Sequence, residues 1–263
     1  MPTRVALLIS NAGEPGDEHY CKGVAVDIAN YRRLLKSAHG GAWAESEIHS
    51  LDKPTKVDLQ KAIMAVSKYD YSFVAFAGHG YYSKIDRTTV LKLQKGVEVS
   101  SLVLCEGATK RTLVLDCCRE IKNKSALLMS KSASLSESRA EAAYRRVPNP
   151  ALCRAHFDTN ITSASNGIVA LHSCSPGETA GDDENTGGYY TFTLIGAADL
   201  WAKTTSEDRL SPLRSEMSVV KAHDVAAPAT AKDSRERDAS KIQNPTIEKP
   251  RTDNNYFPFA VFA

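Results

Sequence analysis

The chain has 263 residues, 42% of them hydrophobic and 24% charged, with a formal net charge of +2. That is the composition of a soluble globular protein long enough for a sizeable core, and the absence of a like-charge block outside residues 232–237 argues against nucleic acid or an anionic membrane as partner. Six cysteines without C-x-x-C spacing argue against a disulfide scaffold or a cysteine zinc site; no run approaches the ~20 apolar residues of a membrane span, and the first residues are too short for a secretory signal, so a reducing cytoplasm is the expected setting.

In chain order, residues 5–9 read as a buried strand, and residues 11–17 as a loop of turn formers. Residues 20–36 read as a helix with Val24, Ile28, Tyr31 and Leu35 on one stripe, which puts the Asp27 carboxylate on or beside the buried face. A short strand at 48–51 precedes a helix opened by Thr55-x-x-Asp58, a capping box with Asp in the Glu position, with Leu59, Ile63 and Val66 inward. Residues 73–77 and 112–116 are apolar runs with the character of buried parallel strands, and each breaks into chemistry: the first into Gly78-His79-Gly80, the second into Asp116-Cys117-Cys118-Arg119. Between them, residues 81–84 form a loop and two alternating runs around Lys95-Gly96 form a small hairpin.

Residues 121–166, rich in Ser, Lys, Arg and Ala, read as an exposed, cleavable linker containing one helix at 136–146. A buried strand returns at 167–173. A loop holding Asp182-Asp183-Glu184 follows, then a helix over 189–201 with Phe192, Ile195 and Leu200 inward. Residues 204–253 are polar and weakly patterned, with one helix around 215–223, and the chain closes on an apolar strand at 256–262. The expected fold is α/β: a mostly parallel sheet of about six strands, helices on both faces, and an accessory hairpin.

In such a sheet the carboxyl ends of neighbouring strands share a crevice, so His79 and a Cys ending the next strand can meet there as base and nucleophile. Strand alternation puts Asp116 and Cys118 on one face and Cys117 on the other, which also weakens a vicinal-thiol redox reading of Cys117 and Cys118.

Strand-Gly78-His79-Gly80, strand-Asp116-x-Cys118-Arg119, a basic linker, Val-Ala-Leu-His-Ser-Cys, Gly-Gly-Tyr-Tyr-Thr-Phe-Thr-Leu and a closing Phe-Pro-Phe-Ala-Val occur in that order, and the ensemble resembles the caspase and metacaspase family of cysteine peptidases. The likeness covers nearly the whole chain. Two departures are Arg119-Glu120 where the family has His-Ser-Gly or Arg-Gly, and a His-to-Cys gap of 39 residues, shorter than the ~50 of caspases.

The resemblance implies a peptidase in which His79 activates Cys118, with backbone N–H groups of Gly80 and Cys118 as the oxyanion hole. It implies an acidic S1 pocket made by Asp116 and Asp27, hence cleavage after Arg or Lys, since a guanidinium between two carboxylates relieves their repulsion. It further implies a large part at 1–120 and a small part at 167–263, separated by cutting of the 121–166 linker. Arg139, Arg145, Arg146 and Arg154 are the candidate processing sites, cut by the enzyme itself or by an upstream protease in a signalling, defence or cell-death pathway. Protein substrates are the expected partners. No cofactor is expected, and no metal, because Asp182–Glu184 reads as a solvated charge run and not a calcium cluster. The competing class is a catalytically silent caspase-fold regulator; a different P1 preference is the milder alternative.

Overall fold

The computed structural model describes residues 1–121, 145–238, 242–251 and 257–263. Strand β1 (Arg4–Asn11) is buried along its whole length and leads through a turn-rich loop into α1 (Val24–Lys36). Strand β2 (Ile48–Asp52) follows, and then α2 (Lys56–Val66), where the expected box is realised: Asp58 N–H donates to Thr55 Oγ1, and Thr55 N–H donates to Asp58 Oδ2, both at 3.1 Å. Next come β3 (Tyr71–Gly78), a three-stranded antiparallel sheet of β4 (Gly80–Ser83), β5 (Thr88–Gln94) and β6 (Val97–Ser100), and β7 (Lys110–Cys117). The Lys95-Gly96 hairpin is therefore present, and the residues expected to be a loop before it add its third strand.

The second half contains α3 (Pro150–Ser163), β8 (Gly167–His172), a two-residue ribbon of β9 (Asp182–Asp183) and β10 (Gly187–Gly188), and α4 (Tyr189–Glu207). It ends with β11 (Ser215–Ser218), α5 (Val219–Arg237), β12 (Thr246–Glu248) and β13 (Pro258–Phe262). The main sheet has the order β12-β8-β7-β3-β1-β2, parallel except for β12, and β13 pairs with β11 apart from it.

Strand alternation sorts the sheet's side chains into two cores. Ala6, Leu8, Phe73, Ala75 and Val114 meet α1, α3, α4 and α5 on one face, while Leu7, Ile9, Val74, Phe76, Leu115 and Cys117 meet α2 and the small sheet on the other. Each such aliphatic or aromatic side chain contributes about 1.5–3 kcal/mol on burial, which commits every strand to its register. Among the described residues no helix is long and apolar enough to cross a membrane.

Three expectations are corrected, and a fourth lies mostly outside the described residues. Part of the supposed linker is α3: Asn149 caps it, Pro150 sits in its first turn, and Cys153, Phe157 and Ile161 form a four-residue stripe buried in the core. The helix expected at 136–146 falls mostly outside the described residues, and residues 145–149 form no regular secondary structure. In α4 Leu194 packs inward and Leu200 is 63% exposed, because the helix runs six residues further than expected and its buried face is set by α1 and α5. The weak pattern after residue 204 hides the full 19-residue length of α5, whose buried face mixes Val219, Val220, Ala222 and Ala226 with the polar His223, Thr230 and Ser234 and which carries Pro228 inside, two features that dull a hydrophobic period.

Candidate active site

Because β1 pairs with β2 on one side and β3 on the other, strand order reverses between β1 and β3, the place where open α/β sheets bind ligands. The register pairs Asn11 with Gly78 and Gly78 with Cys117, so His79 and Cys118 leave adjacent strands side by side. Both border one cleft of about 960 Å³, together with Gly80, Cys21 and Asp182. Cys117 lies 2% exposed on the opposite face, as alternation requires. Its sulfur sits beneath Gly80, where a Cβ would come within 2.7 Å, so glycine is needed there for close packing.

His79 is held by backbone. Its carbonyl accepts the Lys92 N–H at 2.9 Å. The Ala12 carbonyl faces its ring, and Gly13, at φ +86, lies so close that a Cβ would stand 2.9 Å from Nε2. The Cys21 sulfur rests 3.7 Å from both ring nitrogens. Burial, followed by the nearby Lys92 charge, pulls the imidazole pKa below its ordinary value. The Cys118 thiol donates to the Ala180 carbonyl at 3.5 Å, and burial pushes it up to about 11. The resting pair is a neutral thiol and a neutral imidazole.

Arg119 turns inward instead of continuing a surface loop. Its Nε donates to Thr89 Oγ1 at 2.9 Å and its Nη1 to the Cys174 carbonyl at 3.1 Å, tying the end of β7 to β5 and to the loop after β8. Gln243 fastens that loop by accepting the Gly181 N–H and donating to the Ser173 carbonyl, each at 3.0 Å.

Asp27 and Asp116 are brought together, 2% and 6% exposed, but beneath the cleft and not on its wall. Helix α4 has no side-chain cap of its own, since its N-cap is Gly188. The two carboxylates supply the missing acceptors: Asp27 Oδ1 takes the Gly188 N–H at 2.8 Å, while Asp116 Oδ2 takes the Thr191 N–H at 3.1 Å and hydroxyl at 2.6 Å. A Cβ on Gly187 would strike Asp27 and one on Gly188 would strike Asp116, which accounts for the Gly-Gly pair. Burial first, then Asp116, raises Asp27 well above the carboxylate range; burial raises Asp116 as well.

The residues that sequence reasoning missed are Cys21, Ala180, Asp182 and Asn11. Asp182 sat in a run read as solvated, yet it faces the cleft and accepts the Gly23 N–H at 2.9 Å, while Asp183 is 9% exposed. Its signal was the Gly187-Gly188 pair that begins five residues on, which requires the preceding ribbon to fold tightly.

Of the candidate processing sites, Arg139 lies outside the described residues and Arg145 is exposed. Arg146 is clamped, donating to the Thr205 carbonyl at 2.7 Å and the Pro212 carbonyl at 3.2 Å and stacking on Phe262. Arg154 is inside α3, bidentate on Glu47, so the structure removes it from the exposed linker. Among the described residues no group of three His, Cys, Asp or Glu side chains is spaced to hold a metal ion.

A family model for the caspase domain, peptidase C14, matches residues 3–256. Among solved structures the chain is similar to caspase-1 from Spodoptera frugiperda, with a TM-score of 0.56 and 15% identity, covering 94% of this chain and 86% of that one. At that identity the likeness concerns the fold alone. No curated protein matches the chain.

Proposed function

The chain belongs to the caspase-domain family and is a cysteine peptidase, and from this premise we propose that it cuts protein substrates after Arg or Lys, with Cys118 as nucleophile and His79 as its base. A neutral thiol is a weak nucleophile. Substrate entry displaces it from Ala180, His79 takes the proton as the sulfur attacks the carbonyl carbon, and the same proton goes to the leaving amine. The N–H groups of Gly80 and Cys118 receive the oxyanion.

The observation that carries the basic preference is the charge of the cleft: seven Asp and Glu residues border it against three Lys and Arg, in a chain whose net charge is +2. Asp182 is the carboxylate a cationic side chain meets first. Asp27 and Asp116 lie behind it, and besides burial the charges of Asp116 and Asp182 raise Asp27 while that of Asp182 raises Asp116. A guanidinium entering there gains charge-assisted hydrogen bonds and relieves that repulsion.

Processing of the linker is part of the same reading, at Arg139 or Arg145, by the enzyme itself or an upstream protease. The setting is cytoplasmic, in a signalling, defence or cell-death pathway.

The test compares wild type with Cys118→Ala on Arg-, Lys- and Asp-ending fluorogenic peptides. Cleavage of the Arg and Lys peptides by wild type alone supports the proposal; preference for Asp overturns the specificity. Turnover of none leaves a silent regulator.

A further inference from the structure

The geometry points to Asn11 as the positioning residue of the peptidase site: its side-chain amide joins the backbone segment that holds the His79 carbonyl to the one that holds the His79 ring. The inference rests on the reading of His79 as base and deepens it.

Asn11 ends β1 at the point where strand order reverses, and it is 5% exposed. Its Nδ2 donates to the Lys92 carbonyl at 2.8 Å, and Lys92 in turn donates its N–H to the His79 carbonyl at 2.9 Å. Its Oδ1 accepts the Gly13 N–H at 3.0 Å, an Asx turn that sets Ala12 and Gly13 against the imidazole. The Ala12 carbonyl faces the ring and accepts the Cys21 N–H at 2.8 Å. A closed circuit therefore runs from the His79 backbone through Lys92, Asn11 and residues 12–13 back to the His79 ring.

The partners dictate the residue type. A backbone carbonyl only accepts and a backbone N–H only donates, so the side chain must offer both a donor and an acceptor, and the amide orientation is decided by them. Asp lacks the donor. The circuit also needs β1 and β3 to end in close contact: Gly78, at φ +146, leaves no room for a Cβ against the Asn11 backbone. The imidazole touches backbone and a thiol on these sides and among the described residues no charged side chain is hydrogen-bonded to it, so the circuit is what keeps its angle.

The experiment uses the full chain as wild type, Asn11→Ala, Asn11→Asp and His79→Ala, with two readouts: kcat and KM on the basic peptides, and the side-chain 15N shifts of His79, which report its tautomer without substrate. In Asn11→Ala we expect kcat to fall about hundredfold with KM within about twofold, as for a misplacement of about 1 Å, and the single wild-type tautomer to become a mixture. Asn11→Asp keeps the shape and the Gly13 acceptor but loses the Lys92 link, and its kcat falls about tenfold. Wild-type kcat and a single tautomer in Asn11→Asp overturn the inference even if Asn11→Ala does not fold. Full turnover by His79→Ala would instead overturn the reading of the base.

Discussion

The thiol of Cys118 donates to the carbonyl of Ala180 at 3.5 Å. Ala180 belongs to the segment between β8 and α4 that also lays Gly187 and Gly188 over Asp27 and Asp116, so one loop both holds the Cys118 thiol and covers the buried acids.

Chemical labelling reads the resting state. With the Cys118 pKa at about 11 and that of His79 lowered, both groups are neutral near pH 7. Below its pKa a thiol ionises about tenfold more per pH unit. Alkylation of Cys118 by iodoacetamide, followed by peptide mass spectrometry, is expected to be slow at neutral pH and to climb by that factor toward alkaline pH. A plateau already reached near pH 6 would mean a preformed thiolate–imidazolium pair.

Asp27→Asn separates stability from specificity. A carboxyl whose folded pKa is raised binds its proton more tightly in the native state, so stability falls as pH climbs from the ordinary carboxylate range through the raised value. Asparagine keeps an acceptor for the Gly188 N–H without the charge. The variant should melt about 2–4 °C higher near pH 8, with the gain vanishing near pH 4, while kcat/KM on Arg peptides drops about tenfold or more. Scanning calorimetry across pH and peptide kinetics check the two halves.

Gly80→Ala tests the oxyanion hole. The new Cβ would lie 2.7 Å from the Cys117 sulfur and 3.0 Å from the Val90 carbonyl, so the backbone has to move out of line. Loss of one donor costs about 10²–10³ in kcat with little change in KM. Cys117→Ala, on the other face, keeps kcat within about twofold of wild type.

Chelation should leave peptide cleavage intact. Asp182 is taken by the Gly23 N–H, Asp183 by the N–H groups of Asn185 and Thr186, and Glu184 by Lys22, so the acidic run is already partnered. Activity lost in EDTA and restored by calcium would contradict this.

Processing should follow exposure. Arg145→Ala blocks any cut at that bond without destabilising the fold, whereas Arg146→Ala loses two carbonyl contacts and the Phe262 stack and lowers the melting temperature by about 2–4 °C. Intact-mass spectrometry and calorimetry distinguish them. A fully active, uncut chain would show that cleavage is not required.

Apolar runs ending in His79 and in Cys118 are legible in the residues themselves, because a buried parallel strand must be continuously apolar and an abrupt change to Gly-His-Gly or Asp-Cys-Cys-Arg marks its exit. Alternation then separates Cys118 from Cys117, since the strand period is two. Only the first turn of helix α5 was legible, in the helix expected around 215–223, because beyond it the buried face holds Ala226, Thr230 and Ser234, whose burial depends on α4 lying alongside. Nor was the inward turn of Arg119, whose partners come from residues 30 and 55 positions away.

The sequence by itself determined the mostly parallel sheet and brought His79 and Cys118 to the ends of neighbouring strands, which follow from local period and strand-end chemistry; for Asp27 period alone left a position on or beside the buried stripe. Only the tertiary structure decided that Asp27 and Asp116 cap α4 beneath the cleft, that Asp182 faces it, and that Asn11 closes a circuit around His79. Those relations join segments as far as 161 residues apart, and no local pattern encodes which donor meets which acceptor once β1, β3 and β7 are brought side by side.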